Sequence, residues 1–422
     1  MPRQTFDVGD APRIEVGECA SNLFIEAWDQ RKVEVEPDAT VQAADQEGGS
    51  WRIERANEKL RLRVPHDTTI VVESVRGNVE ASGCQALEIQ RVAGGLRGRR
   101  IETLKIEHAG GNVTLEGVAT LSASKIGGSL TATGGTLHVE KVGGNCTVSD
   151  AGEAVRFSKI DGSLVVEGNG QTVVTGERVR GNLSLRNLRS AELENVSSSA
   201  TIRDVEGDLR IGNIGGNCEI RDAGGEVAIQ NVGGSAAIDN VGTISTLGNI
   251  GGNLKLTAAP LRFDEQIATM QMKVGGSARI ELTDAPNLTV HAMAGGSIHA
   301  ENVAKGMLGR RATIIYGAGT VALNLMVGGN LDLRGGGEPQ VAGSTRSPGL
   351  VVPPVEPVPP VPPVAPVRPT PPTPATGKTI RMDRVASQGP SDGEEERILV
   401  LRMIADGRIT PEQGAQLLQA MR

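Results

Sequence analysis

A pair of glycines followed by asparagine or serine recurs about every 18 residues between Gly77 and Asn330. Self-similarity at a short fixed period is typical of a solenoid, in which each repeat is one structural unit that stacks on its neighbours. Roughly fourteen units follow from this spacing. The clearest copies are Gly110-Gly111-Asn112, Gly127-Gly128-Ser129, Gly143-Gly144-Asn145, Gly215-Gly216-Asn217, Gly233-Gly234-Ser235 and Gly251-Gly252-Asn253. Degenerate copies that keep the register are Asp161-Gly162-Ser163, Arg180-Gly181-Asn182, Ser198-Ser199-Ala200 and Gly309-Arg310-Arg311.

Apolar residues occupy alternate positions on both sides of each glycine pair. Period-two alternation indicates short β-strands with one face turned inward. The sequence therefore predicts an all-β fold, a parallel β-solenoid whose unit is strand, turn, strand, turn. In one repeat the predicted inward residues are Cys146, Val148, Val155, Phe157 and Ile160.

The repeat leaves two details of the coil open. The glycines mark a turn that needs either a positive φ or a close approach of two backbones, both of which favour glycine. One repeat per coil would stack asparagine on serine along one edge, whereas two repeats per coil would give separate ladders of each. We favour one repeat per coil, because the chain has little side-chain bulk with which to fill a wider cross-section.

The sequence divides into four segments. Residues 1–73 are predicted to form a β-rich cap that holds both tryptophans, Trp28 and Trp51, and protects the end of the solenoid. Residues 74–334 are the predicted solenoid. Residues 335–393 are a predicted disordered linker, because 12 of the 22 residues from Pro353 to Pro374 are proline, which favours an extended spacer. Residues 394–422 are a predicted helical hairpin.

The hairpin carries start and stop signals for two helices. Asp406-Gly407 ends the first helix, and Thr410, Pro411 and Gln413 form the capping pattern of the second. A segment this short buries too little apolar surface to fold alone, so we expect it to self-associate, giving a homo-oligomer, or to bind a protein partner. The interaction residues predicted from its apolar faces are Ile398, Leu401, Leu417, Leu418 and Met421.

The composition argues against several kinds of function. The net charge is −7 and the chain has no long basic run, which argues against a nucleic-acid partner. We interpret the one small basic cluster, Arg97-Gly98-Arg99-Arg100, as a solvated loop. The four cysteines lack metal-ligand spacing, and Cys146 and Cys218 fall at inward positions, where we interpret them as small core residues. We expect no metal, no cofactor, no catalytic residues and no enzyme activity.

The first ten residues lack the basic and apolar pattern of a signal peptide, and no apolar run approaches the ~20 residues of a membrane-spanning helix. These features predict a cytoplasmic protein without a transmembrane segment. Peripheral association with the cell envelope is the alternative location.

Two stretches resemble known families. The Trp28-Asp29 strand, Val64-Pro65-His66-Asp67-Thr68, Val75-Arg76-Gly77-Asn78-Val79 and the repeats that follow resemble the bacterial putative-adhesin β-solenoid family. Residues Ile398 to Met403, Asp406 to Glu412 and Leu417-Leu418 resemble the SHOCT-like helical hairpin. The second resemblance implies oligomerisation or protein contact, and neither implies catalytic residues.

These observations favour a non-enzymatic scaffold, in which a rigid solenoid is joined by a proline-rich spacer to a hairpin that assembles or recruits. The first alternative is an adhesin or stress-sensing binding protein at the envelope or cell surface. A carbohydrate-active β-helix enzyme is the remote alternative, since the sequence offers no paired carboxylates beside aromatic platforms.

Overall fold

A computed structural model describes residues 4–36, 41–45, 50–257, 269–282, 287–304 and 307–342. The chain divides into two units, Met1–Val351 and Val352–Arg422. All of the described residues belong to the first unit, and they form strands and turns without a helix. The predicted hairpin and most of the predicted linker lie outside the described residues.

The first 82 residues contribute strands at the N-terminal end of the stack. They are β1 (Gln4–Asp7), β2 (Arg13–Cys19), β3 (Leu23–Trp28), β4 (Lys32–Glu36), β5 (Val41–Asp45), β6 (Ser50–Ala56), β7 (Leu60–Pro65), β8 (Thr69–Val75) and β9 (Val79–Ser82).

The central strands alternate between a long and a short member of each coil, and two of them run through a turn without a break. They are β10 (Ala86–Val92), β11 (Leu96–Arg99), β12 (Thr103–Ala109), β13 (Val113–Glu116), β14 (Thr120–Ile126), β15 (Leu130–Thr133), β16 (Thr136–Val142), β17 (Cys146–Ala151), β18 (Ala154–Ile160), β19 (Leu164–Gly168), β20 (Val173–Val179), β21 (Leu183–Leu188), β22 (Ser190–Val196), β23 (Ala200–Val205), β24 (Leu209–Ile214), β25 (Cys218–Val232), β26 (Ala236–Ile250) and β27 (Leu254–Thr257).

The last described strands close the C-terminal end of the stack. They are β28 (Thr269–Val274), β29 (Ala278–Leu282), β30 (Leu288–Ala294), β31 (Ile298–Ala300), β32 (Arg311–Tyr316), β33 (Val321–Val327), β34 (Leu331–Gly335) and β35 (Gln340–Ala342). Strand β35 lies beyond residue 335, the predicted start of the linker.

Each repeat makes one coil, and the coils stack as parallel strands. Leu96 of β11 lies opposite Val113 of β13, which in turn lies opposite Leu130 of β15. The longer strands pair in the same way, as β10 with β12 and β12 with β14. This register confirms the predicted parallel β-solenoid and selects one repeat per coil. We call the two sides of the stack the long-strand face and the short-strand face.

The core is a single apolar column between the two faces. The five inward residues predicted for one repeat are all buried, with Val148 and Ile160 at 0% exposure. The 2% aromatic content is compatible with this narrow core, because aliphatic side chains and alanine fill it coil by coil. Phe157 is accommodated because the next coil places Gly176 directly against its ring.

The two ends of the stack depart from sequence order. The coil β2–β3 inserts between β6–β7 and β8–β9, so parallel coils already begin at Arg13, within the segment predicted as a cap. At the other end β33–β34 inserts between β28–β29 and β30–β31. Antiparallel strands cover the outermost edges: β4 and β5 pair with β7 and β6, and β32 pairs with β30. Covered edges protect a sheet from pairing with another chain.

Two degenerate repeat sites differ from their predicted register. At Ser198-Ser199-Ala200 the turn lies one residue earlier, so that Ser199 occupies the position that asparagine or serine holds in the other repeats, and Ala200 starts the next strand. Gly309-Arg310-Arg311 is not a repeat turn, because Arg311 begins the antiparallel strand β32. The cluster around Arg97 is also not a loop: Arg97 and Arg99 project from strand β11, whose Gly98 is buried.

The glycine pair is required by close approach and not by a positive φ. The positive-φ residues of the regular coils fall at the opposite turn, where Asn187, Asp204 and Asp222 are examples. A Cβ on Gly233 would overlap the carbonyl oxygen of Gly215, and one on Gly234 would overlap the side-chain oxygen of Asn217. Glycine therefore fits these two positions without displacing the adjacent coil, although Asp161, Arg180 and Ser197 occupy the first position in other coils.

We expect Gly234→Ala to lower the urea-unfolding midpoint, with a cost of about 2–3 kcal/mol because the methyl group must displace backbone. The matched control is Gly9→Ala, since a Cβ at Gly9 meets nothing within 4 Å. Equal midpoints for the two variants would contradict the close-approach account.

Candidate functional surface

A hydrogen-bonded line of side chains runs along the turn that holds the glycine pairs. The side-chain oxygen of the asparagine or serine at this turn accepts a hydrogen bond from the backbone N–H of the equivalent residue in the adjacent coil, up to the last member, Ser297. Gly95 occupies the position between Asn78 and Asn112 and interrupts the line there. The backbone nitrogen of Ser235 lies 2.9 Å from Oδ1 of Asn217. The backbone nitrogen of Asn253 lies 3.0 Å from Oγ of Ser235. We call this line the Asn/Ser spine; its members are Asn22, Asn78, Asn112, Ser129, Asn145, Ser163, Asn182, Ser199, Asn217, Ser235, Asn253, Ser277, Asn330 and Ser297.

The spine fixes the stack so that equivalent outward residues form straight rows. Neighbouring strands lie about 4.8 Å apart, which sets the spacing between successive members of a row. One such row lies on the long-strand face. Its members stand three residues before the second glycine of each turn, as Lys125 stands before Gly128. From Arg91 onward its residues are first basic, then asparagine, and finally two methionines between cations.

The basic part of this row spans six consecutive coils. Register pairs place each member directly opposite the next, for example Lys125 opposite Lys141 and Lys141 opposite Lys159. Ser74 precedes the basic part and Asn195 follows it. We call it the cation row; its members are Arg91, His108, Lys125, Lys141, Lys159 and Arg178.

Most of the cation row is unpaired. Among the described residues, Lys159 is its one member with an ion pair, at 3.4 Å from Asp161, and Arg180 also contacts that carboxylate at 3.1 Å. The remaining members form no ion pair or side-chain hydrogen bond with the described part of the chain. Like charges directly opposite one another destabilise a sheet. This row therefore costs the fold stability.

The residue before each member of the cation row also points outward. In three of these coils it is an exposed glutamate, Glu107, Glu140 or Glu177, and in the other coils it is glutamine or serine. The basic surface is consequently a narrow line with an interrupted acidic line on one side. On its other side, past one buried residue, lie the exposed small residues Ala93, Gly110, Gly127 and Gly143 in the first four coils, and Asp161 and Arg180 in the last two.

The next four coils place asparagine at the same position and gain hydrogen bonds from it. The Nδ2 atoms of Asn213, Asn231 and Asn249 donate to the Oδ1 atoms of the preceding asparagines at 2.9, 2.7 and 2.8 Å. We call Asn195, Asn213, Asn231 and Asn249 the amide ladder. Ladders of this kind stabilise stacked parallel strands.

The row ends in a groove at the C-terminal end of the stack. Met326 lies between Lys273 and Met293, and Arg311 follows Met293. Met293 is 41% and Met326 49% exposed, and both line a cavity of about 580 Å³. Apolar side chains beside cations are a feature of many protein-contact surfaces.

The ionisable groups with shifted pKa values serve the fold. Arg31 donates to Asp67 and lowers the pKa of that carboxyl group. Burial acts to raise the pKa of Asp332, but hydrogen bonds from His299 and Arg334 outweigh it, and the pKa is lowered. Both carboxylates are therefore held in their charged form by cationic neighbours.

The four cysteines are free and buried, as interpreted for Cys146 and Cys218 from the sequence. Burial raises the pKa of Cys146 and of Cys218 to about 12, and that of Cys84 to about 11. The described residues contain no group of three or more histidine, cysteine or acidic side chains close enough to hold a metal ion. No helix in the described ranges has the length and apolarity to cross a bilayer.

The predicted interaction residues Ile398, Leu401, Leu417, Leu418 and Met421 lie outside the described residues, so their arrangement stays a prediction. The cation row was missed because its members are about 17 residues apart and form no basic run in the sequence. The available signal was a basic residue at one fixed position in six successive repeats.

Comparison with known proteins identifies the C-terminal segment. Residues 395–422 match the family model described as a SHOCT-like domain. No curated protein and no solved structure matches the chain. The match confirms the C-terminal part of the resemblance.

We expect the four native thiols to react with an aromatic disulfide reagent at pH 8 only after unfolding. The thiols are buried, and their raised pKa values leave little of the reactive thiolate. The reaction is followed by absorbance with and without urea. An added exposed thiol, Ser122→Cys on β14, should react at once in the folded protein. Rapid labelling of the native cysteines would contradict the tightly packed column.

Proposed function

We propose that this protein is a non-enzymatic scaffold, in which a rigid solenoid displays fixed rows of side chains and the C-terminal hairpin provides self-association or partner recruitment. The observation that supports it most is the Asn/Ser spine, which ties coil to coil without a break from Asn112 to Ser297. A stack tied in this way keeps its outward residues at constant spacing. Such a surface is better suited to repeated contacts with a partner than to forming a single catalytic centre.

The match of residues 395–422 to the SHOCT-like domain supports the interaction role of the hairpin. Domains of this size need a partner surface for stability. Placing the apolar residues Leu401 and Leu418 at the contact is part of the proposal. So is a cytoplasmic location for the assembled protein.

The shifted carboxyl groups are consistent with the non-enzymatic proposal. A general acid at neutral pH needs a raised pKa, whereas those of Asp67 and Asp332 are lowered. Each is held by arginine, as expected for a structural ion pair.

The second candidate is a binding protein or adhesin at the envelope or cell surface. It is favoured by the repetitive polar outer faces of the solenoid and by the resemblance of the repeats to the putative-adhesin family. Cell fractionation distinguishes the two. Recovery in a washed envelope or surface fraction would support the adhesin, and recovery in the cytosol would support the scaffold.

We expect full-length protein to be oligomeric and residues 1–376 to be of lower mass by multi-angle light scattering, because removing the hairpin removes the associating surface. Leu401→Asp with Leu418→Asp in the full chain should have the same effect. The matched control, Gln419→Asp, lies off the predicted apolar face and should keep the full-length mass.

Equal masses for the full chain and residues 1–376 would contradict self-association. If both are monomers, the hairpin's proposed role reduces to recruitment of another protein. If both are oligomers of the same order, the associating surface lies in the solenoid.

A further inference from the structure

We propose that the cation row is a binding site for an extended linear polyanion of the polyphosphate type. This inference goes beyond the scaffold role and does not depend on the hairpin. It rests on the alignment of six basic side chains, from Arg91 to Arg178, at the pitch of the coils.

The first argument is energetic. The fold has a stabilising residue for this position, since the amide ladder from Asn195 to Asn249 gains a hydrogen bond at every step. In the six preceding coils the same position instead holds basic residues, and the successive cations from Lys125 to Arg178 lie directly opposite one another, which is destabilising. A row that opposes stability is expected where function requires it.

The second argument concerns the shape of the ligand. Exposed Glu107, Glu140 and Glu177 flank the row, so a broad anionic surface such as a membrane would meet carboxylates as well as cations. A single chain can lie along the cations alone. The exposed small residues on the other side, Gly110 and Gly127 among them, leave room for it beside the first four members of the row, and Arg180 adds a cation at that position beside Arg178.

The third argument concerns its chemistry. Six positions at about 4.8 Å cover about 24 Å, which requires an anion with closely repeated charges. Proteins that bind single-stranded nucleic acid stack its bases on aromatic side chains. In these coils the one aromatic residue, Phe157, is buried in the core. The surface therefore matches a phosphate chain without bases.

The test measures binding of fluorescently labelled inorganic polyphosphate to the full-length protein by anisotropy across a salt series. We expect Lys125→Gln/Lys141→Gln/Lys159→Gln to weaken binding at least about tenfold and to reduce the magnitude of the slope of log K against log salt by about 2. The matched control, Arg97→Gln/Arg203→Gln/Lys255→Gln, removes the same charge from the short-strand face and should change affinity less than about twofold.

The triple lysine variant should melt at the same temperature as the unmodified protein or higher, because the repulsion between neighbouring lysines is removed. An unchanged or higher melting temperature separates loss of binding from loss of folding. Absence of polyphosphate binding at low salt, or an equal loss in the control, would overturn the proposal. Tighter binding of single-stranded DNA, polyglutamate or phosphatidylserine vesicles of matched charge would overturn the assigned ligand class. Preference for polyphosphate that depends on the row would support it.

Discussion

The structure depends on one repeated hydrogen bond, from a backbone N–H in one coil to the side-chain oxygen of asparagine or serine in the next. This bond draws the turns of neighbouring coils together until a Cβ no longer fits, as at Gly234 beside Asn217. The glycine pair and the polar residue after it are therefore two parts of one device. Because the bond joins equivalent residues, it also sets the register of both faces and aligns the apolar core.

A fixed register turns each outward position into a row, and the energetic effect of a row depends on its residue type. Asparagines at one position form the amide ladder and stabilise the stack, whereas basic residues at that position form the cation row and oppose it. The same geometry thus separates a structural surface from a candidate binding surface. Residues 395–422, which match the SHOCT-like domain, are the second contact region in the proposed scaffold.

The sequence predicted the solenoid and its inward residues because both depend on local periodicity, as the burial of Val148 and Ile160 shows. It did not predict the order of the terminal coils, which depends on pairing between distant strands. One signal was present in the alternation of asparagine and serine along the spine. Two serines, Ser277 and Ser297, follow one another in the order of the sequence, and placing Asn330 between them in the stack restores the alternation. The cation row was missed for a related reason, since its members meet only through stacking.

The central claim is that the Asn/Ser spine links coils that are neighbours in space, including where their order departs from the sequence. Oxidative cross-linking of paired cysteines in the full chain tests it most directly. Ser277→Cys with Asn330→Cys should form a disulfide, because adjacent coils lie within disulfide reach at about 4.8 Å. Ser277→Cys with Ser297→Cys should not, because these residues are two coils apart. The reverse pattern would contradict the account.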